Sequence, residues 1–224
     1  PAIINPAEHF HSVVVAHDGS STAFTLPWNA DTYDTLFIVK NTTAAVEDWY
    51  WTNGLRGYNK YQTCPTLVTE TTSTTILTIN GTTVTLGSTL GNKSYLVECH
   101  KAGLASGRAS DDTGAITVTR STNTTSQFSI IQRTGTGANT NYGHGLDAVD
   151  FRVSLNLSSA HSFSCQHTSL TDGTMILYMD GAGAQNAHVT GWNSTFPSST
   201  LCFLGTGNGT NQSSSTYNEY LWGS

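Results

Sequence analysis

Apolar residues along this chain fall in short runs, rich in β-branched and aromatic side chains and separated by Gly, Asn, Asp and Ser. The runs cover 10–16, 35–40, 46–51, 74–79, 82–86, 94–100, 115–119, 128–133, 150–156, 174–179, 201–204 and 217–222. No window places apolar residues at i, i+3, i+4 and i+7, so amphipathic helices are not expected. Short β-branched runs bounded by turn residues predict strands. Asn80-Gly81 lies between two of them and predicts a tight hairpin. About a dozen short strands in one chain point to β-sandwiches or barrels.

The pattern also occurs twice. Phe10-His-Ser-Val-Val reaches Gly19 as Phe128-Ser-Ile-Ile-Gln reaches Gly137. Leu36 to Asn41 matches Phe151 to Asn156, and Asp48-Trp49-Tyr50-Trp51 matches Ser162-Phe163-Ser164-Cys165. Leu86-Gly87-Ser88 matches Leu204-Gly205-Thr206, and Ser94-Tyr95 matches Thr216-Tyr217. This repeat predicts an all-β chain of two tandem antiparallel β-sandwich domains of jelly-roll or concanavalin-like kind. They would span 1–103 and 115–224, with 104–114 as a Gly- and Ser-containing linker. Trp49 and Trp51 align with Phe163 and Cys165, while the positions between are polar. Period two with a shared apolar side marks a buried face, so both Trp are read as core rather than as a sugar-stacking platform. Cys64, Cys99, Cys165 and Cys202 do not coincide between the repeats and form no CxxC, which favours free thiols over disulfides or zinc ligation.

Composition narrows the function. The net charge is −6 and only 11% of residues are charged, which disfavours a nucleic-acid binder. Thr, Ser and Asn together number 77 of 224, so hydroxyls and amides carry solubility. No Asp, Glu, Lys or Arg occurs from Gly181 to Asn218. No apolar run approaches membrane-spanning length, so no membrane insertion is expected. The start at Pro1, with no Lys- or Arg-led apolar segment after it, suggests synthesis in a cytoplasm without a signal peptide.

Several segments resemble a repeat found in tail proteins of tailed bacteriophages. In the first half they are Ile4-Asn5-Pro6, Asp34 to Asn41, Asp48-Trp49, Leu55-Arg56-Gly57 and Tyr95 to Gly103. In the second they are Gly114 to Thr117, Gln127 to Ile131, Thr134 to Ala138, Gly143 to Leu146 and Tyr217 to Trp222. One departure is Leu155-Asn156-Leu157, where the resembled repeat has Lys-Asn-Arg. The resemblance implies a virion structural protein, a tail fibre or appendage contributing to host attachment by non-covalent binding. It implies other virion proteins and further copies of the chain as partners, in a homo-oligomer, and a location on the phage particle after synthesis in the host cytoplasm. A capsid or tail decoration protein without a receptor is the alternative, and a glycan-binding or glycan-degrading module a further one.

The chemistry-bearing residues give little support to catalysis. There is no GxSxG, HExxH or P-loop, so no enzyme and no cofactor are expected. Asp111-Asp112 lies in the expected linker and reads as a solvated turn. His9 and His11 form an HxH pair whose rings would share one side of a strand, a weak metal candidate beside the expectation of no metal. Asn-x-Ser/Thr triplets are what this composition yields by chance. Trp28, Tyr33, Tyr58, Tyr61 and Tyr142 fall between predicted strands, where aromatic side chains on loops suit contact with a host-surface glycan or receptor.

Overall fold

The computed structural model describes residues 5–43, 47–66 and 68–224. Val46 and Ile4, which belong to the predicted strand 46–51 and to the resembling segments, lie outside the described residues.

The chain is all-β, with its strands in antiparallel sheets. The first half forms β1 (Phe10–Asp18), β2 (Ser21–Thr25), β3 (Tyr33–Asn41), β4 (Trp49–Asn53), β5 (Lys60–Cys64), β6 (Thr71–Thr72), β7 (Leu77–Asn80), β8 (Thr83–Gly87) and β9 (Asn92–Leu104). The second forms β10 (Ala109–Asp111), β11 (Val118–Asn123), β12 (Phe128–Thr134), β13 (Thr140–Gly143), β14 (Phe151–Asn156), β15 (Ser164–His167), β16 (Met175–Tyr178), β17 (Asn186–Ala187), β18 (Leu201–Leu204) and β19 (Thr216–Trp222). One four-residue α-helix, α1 (Asn208–Asn211), and two 3₁₀ turns complete the described elements. Each of the twelve predicted runs overlaps a strand. Strands β2, β5, β6, β10, β13, β15 and β17 escaped the pattern because they are short, polar or both. None of the helices of the described residues is long and apolar enough to cross a membrane.

A six-stranded sheet has the order β1-β9-β3-β4-β5-β6, and an eight-stranded sheet the order β10-β11-β12-β19-β14-β15-β16-β17. From β12 onward, the second order repeats the first strand for strand. The registers repeat too. Val15, Tyr95 and Asn41 lie across β1, β9 and β3, as Arg133, Tyr217 and Asn156 lie across β12, β19 and β14. Ile38 faces Trp51 as Val153 faces Cys165. In the smaller sheets β2-β8-β7 and β13-β18, Phe24 faces Val84 as Tyr142 faces Cys202. All but Phe24 and Tyr142 are positions aligned by the sequence repeat. Gly19 and Gly137, which end the matching first segments, both hold positive φ, at 87° and 70°.

Alternating side chains then build three cores. Val15, Phe37, Val39, Tyr95 and Val97 of the six-stranded sheet pack against Val84 and Leu86 of the small sheet. The opposite face presents Leu36, Ile38 and Trp51 to Phe128, Val153, Phe163, Cys165 and Tyr220 of the eight-stranded sheet. Trp51 meets Phe163 edge-to-face at 5.7 Å. The far side of the eight-stranded sheet contributes Val118, Ile131 and Leu221 to a core with Tyr142, Trp192, Cys202 and Leu204. Both large sheets are thus covered on two faces, and the two halves share the middle core.

The stretch 104–114 is hydrogen-bonded rather than a bare turn region. It contains β10, and Arg108 makes a two-point contact with buried Asp34, at 2.9 and 2.6 Å. Asp111 is buried and ion-paired with Arg120 at 2.8 Å. The reading of Asp111 as solvated is therefore corrected: it belongs to a strand whose neighbour supplies a cation.

Candidate binding clefts

The strand ends of the first half open into a cleft of about 670 Å³. β4 places Trp49 and Tyr50 there, β9 contributes Tyr95, and the connection before β4 contributes Glu47 and Asp48. Lys40, Lys93 and Asp180 complete its charged lining. Lys40 Nζ lies 4.5 Å from the Trp49 ring centre, covering one face. Glu47 is ion-paired with Lys93. Asp48 Oδ1 accepts the Thr66 N–H at 2.9 Å, and Asp180 Oδ2 accepts the Ser162 hydroxyl at 2.9 Å. Cys64 also lines the cleft, but burial pushes its thiol up to about 12, so it stays protonated near neutral pH. Aromatic faces beside fixed polar groups suit non-covalent recognition of a polyhydroxylated ligand.

A second cleft, of about 470 Å³, opens in the second half. It includes His161, Ser162 and Ser164, which match Glu47, Asp48 and Tyr50 in the repeat. A third, shallower groove of about 380 Å³ runs between the halves and includes His9, Tyr33, Lys101 and Asn123.

The five aromatics singled out from the sequence do not assemble into one surface. Trp28 is 4% exposed, and its indole N–H donates to Thr35 Oγ1 at 2.9 Å. Tyr142 is fully buried on β13, where its hydroxyl donates to Glu219. Neither presents a face outward: a polar partner inside the fold satisfies each, so the expectation of surface loops fails for both. Tyr58 stacks edge-on against Phe37, and its hydroxyl donates to the Ala30 carbonyl at 3.0 Å. Burial pushes that hydroxyl's pKa up. Tyr61 packs on Tyr50 at 5.4 Å, behind the first cleft. Tyr33 lines the third groove with Lys101 over its ring at 3.9 Å.

The HxH rings diverge. His11 stacks on Phe24 at 6.4 Å, while His9, just before β1, shares a hydrogen bond with Asn123 of the other half. Among the described residues no group of three or more His, Cys, Asp or Glu is arranged to hold a metal. The four cysteines are free and buried.

Sequence reasoning assigned Trp49 to the core together with Trp51. Trp51 is core, and Trp49, two residues nearer the strand end, packs against the same core but is half-buried and also lines the cleft. The missed signal was the polar set Asp48, Ser162 and Ser164. On strands buried on both faces, polar residues at alternate positions mark where the covering layer stops.

The geometry thus defines a multi-sheet all-β protein with clefts at the strand ends. Residues 5–224 match the family described as a domain of unknown function (DUF7483), and the chain belongs to that family. No curated protein and no solved structure matches the chain.

Proposed function

We propose that this protein is a structural component of a phage particle, a tail fibre or appendage that contributes to host attachment by non-covalent binding. The single observation that carries the binding role is the first cleft, where Trp49 and Tyr50 stand beside carboxylates already engaged by protein donors. Engaged carboxylates orient hydroxyl groups of a glycan better than they shuttle protons, so the reading is of a binder and not an enzyme. The sequence resemblance to tail-protein repeats supplies the particle.

In this reading each half is one β-sandwich unit of jelly-roll or concanavalin-like kind, and the pair arose by tandem duplication. The matching strand orders and registers support that reading. Stacking through a shared core makes a rigid body suited to a virion. The partners are other virion proteins and further copies of the chain, and weak glycan contacts gain strength from copy number. The chain is made in the host cytoplasm and assembled into the particle.

The test is immunogold electron microscopy of purified particles of the encoding phage. Gold on the tail or its fibres is the expected result. Gold spread over the head overturns the attachment role in favour of decoration, and particles free of gold overturn the virion assignment.

A further inference from the structure

We infer that the second cleft is a separate binding site for a neutral, polyhydroxylated ligand such as an uncharged oligosaccharide segment, with its wall held rigid by a buried charged network absent from the first half.

The two clefts occupy matching places in the repeat, yet their chemistry differs. Where the first has Glu47, Asp48 and Tyr50, the second has His161, Ser162 and Ser164. Its remaining polar lining is Tyr178, His188, Thr190, Thr206, Asn208 and Thr210, with no Asp, Glu, Lys or Arg among the described lining residues. Hydroxyl, amide and imidazole groups donate and accept hydrogen bonds without selecting a formal charge.

One wall of this cleft has been rebuilt. From Leu86 to Tyr95 the first half has nine steps, and from Leu204 to Tyr217 the second has thirteen, a difference of four. The added length holds α1, whose Asn208, Gly209 and Thr210 line the cleft. This wall is fixed from behind. Arg133 Nη2 donates to the Thr210 carbonyl at 2.5 Å, and the Tyr217 hydroxyl donates to the Asn208 carbonyl at 2.5 Å. Asn211 Nδ2 donates to the Gly205 and Ala138 carbonyls at 2.8 and 2.7 Å.

Arg133 is itself ion-paired with Glu219, both side chains fully buried. At the matching register positions the first half has Val15 and Val97. A buried ion pair is rarely more stable than a well-packed apolar pair of similar size. Its presence in one repeat only therefore calls for a local use, and the wall it anchors supplies one. A preorganised wall lowers the ordering cost of binding.

Gly209 offers a direct probe. Its φ is not positive, and outside its own helix and chain neighbours the nearest described atom to an added Cβ is Ser164 Oγ, at 3.2 Å. Gly209→Leu therefore projects into the cleft, with the Ser164 hydroxyl giving way by a few tenths of an ångström.

The experiment uses the isolated full chain, so it is independent of where the protein sits in a particle, and failure here leaves the first cleft and the attachment role standing. Backbone amide shifts are followed by NMR while neutral hexose oligosaccharides are titrated, with uronic-acid oligomers in parallel. The expected result is a saturable shift at Ser162, Ser164 and Thr206–Thr210 with at least one neutral oligomer. Gly209→Leu and, separately, His188→Ala should each weaken that binding about tenfold or more while thermal unfolding stays unchanged. Affinity should also hold from low to about 1 M salt, since no formal charge is involved. Absence of shifts at these amides across the neutral panel overturns the site. Equal or tighter binding of the acidic oligomers there overturns the ligand class.

Discussion

Glu219 shows how one residue changes the character of a core. It receives Arg133 Nε at 2.7 Å, the Ser154 hydroxyl at 3.2 Å and the Tyr142 hydroxyl, all inside the second half. Burial, with Cys202 and Glu219 nearby, drives the Tyr142 hydroxyl pKa well up, so it remains a donor. Arg152 lies close by, donating to Gln166 Oε1 at 3.0 and 2.7 Å and stacking 3.9 Å over Trp192. Removing one partner strands the other charge. Glu219→Ala should cost about 3–5 kcal/mol in urea unfolding. Replacing the set with the residues that the first half holds there, Arg133→Val with Tyr142→Phe and Glu219→Val, should cost much less, because no buried charge of that pair is left over. A triple variant as unstable as the single one would refute this account.

At the scale of elements, the same close approach recurs in both halves. Gly87 ends β8, and an added Cβ would run into the backbone carbonyl of Thr75; Gly205 follows β18 and meets the carbonyl of Thr190 in the same way. The crossing segments are hydrogen-bonded there, Gly87 N–H to Ile76 O at 3.1 Å and Gly205 N–H to Gly191 O at 3.0 Å. Neither chain can withdraw without losing its ladder partner. Gly87→Ala and Gly205→Ala should therefore each destabilise by roughly 1–3 kcal/mol, at the upper end for single changes, read as a lower urea midpoint. By contrast Gly183→Ala, with nothing within 4 Å, should leave the midpoint within about 0.5 kcal/mol of the parent. The pairing also shows why the sequence repeat was legible here: both positions forbid a side chain for one geometric reason.

Across the whole molecule, His100 sits at the junction of the halves. It packs against Phe10, Phe128 and Trp222 at 4.9 to 5.5 Å, and the Trp222 indole N–H donates to its Nδ1 at 3.3 Å. Burial lowers its pKa from 6.5 to about 4. Between those values the unfolded chain binds the proton and the folded chain does not, so stability rises with pH there. Acidification from 6.5 towards 4 should remove up to about 3 kcal/mol through this residue. His100→Phe should flatten that part of the stability profile, measured by denaturant titration at several pH values. An unchanged slope would assign the acid sensitivity elsewhere. Because His100 touches both halves, the loss should appear as a loosening of the shared core, with Trp222 fluorescence changing in step.

The all-β class, most strand positions, the hairpin at Asn80-Gly81 and the twofold repeat were determined by the sequence alone. Each depends on local chemistry: β-branched runs, turn residues, and glycines where a Cβ cannot fit. The burial of Trp51 and of its repeat counterpart Cys165 was equally readable, from period two. The fate of single aromatics was not. Trp28, Tyr58 and Tyr142 lie in polar-looking surroundings, yet each is drawn inward by a partner, Thr35 seven residues away, or Ala30 and Glu219 much further along the chain. Trp49 went the other way, left half-open by where the neighbouring layer ends. The clefts likewise belong to the tertiary structure, because a cleft is set by which strands outrun their cover. Nothing in the chain itself singles out Arg133, Arg152 and Glu219. Only the folded sheet, buried on both faces, turns them into an internal network, because the side of a strand that meets water is decided by what packs on it.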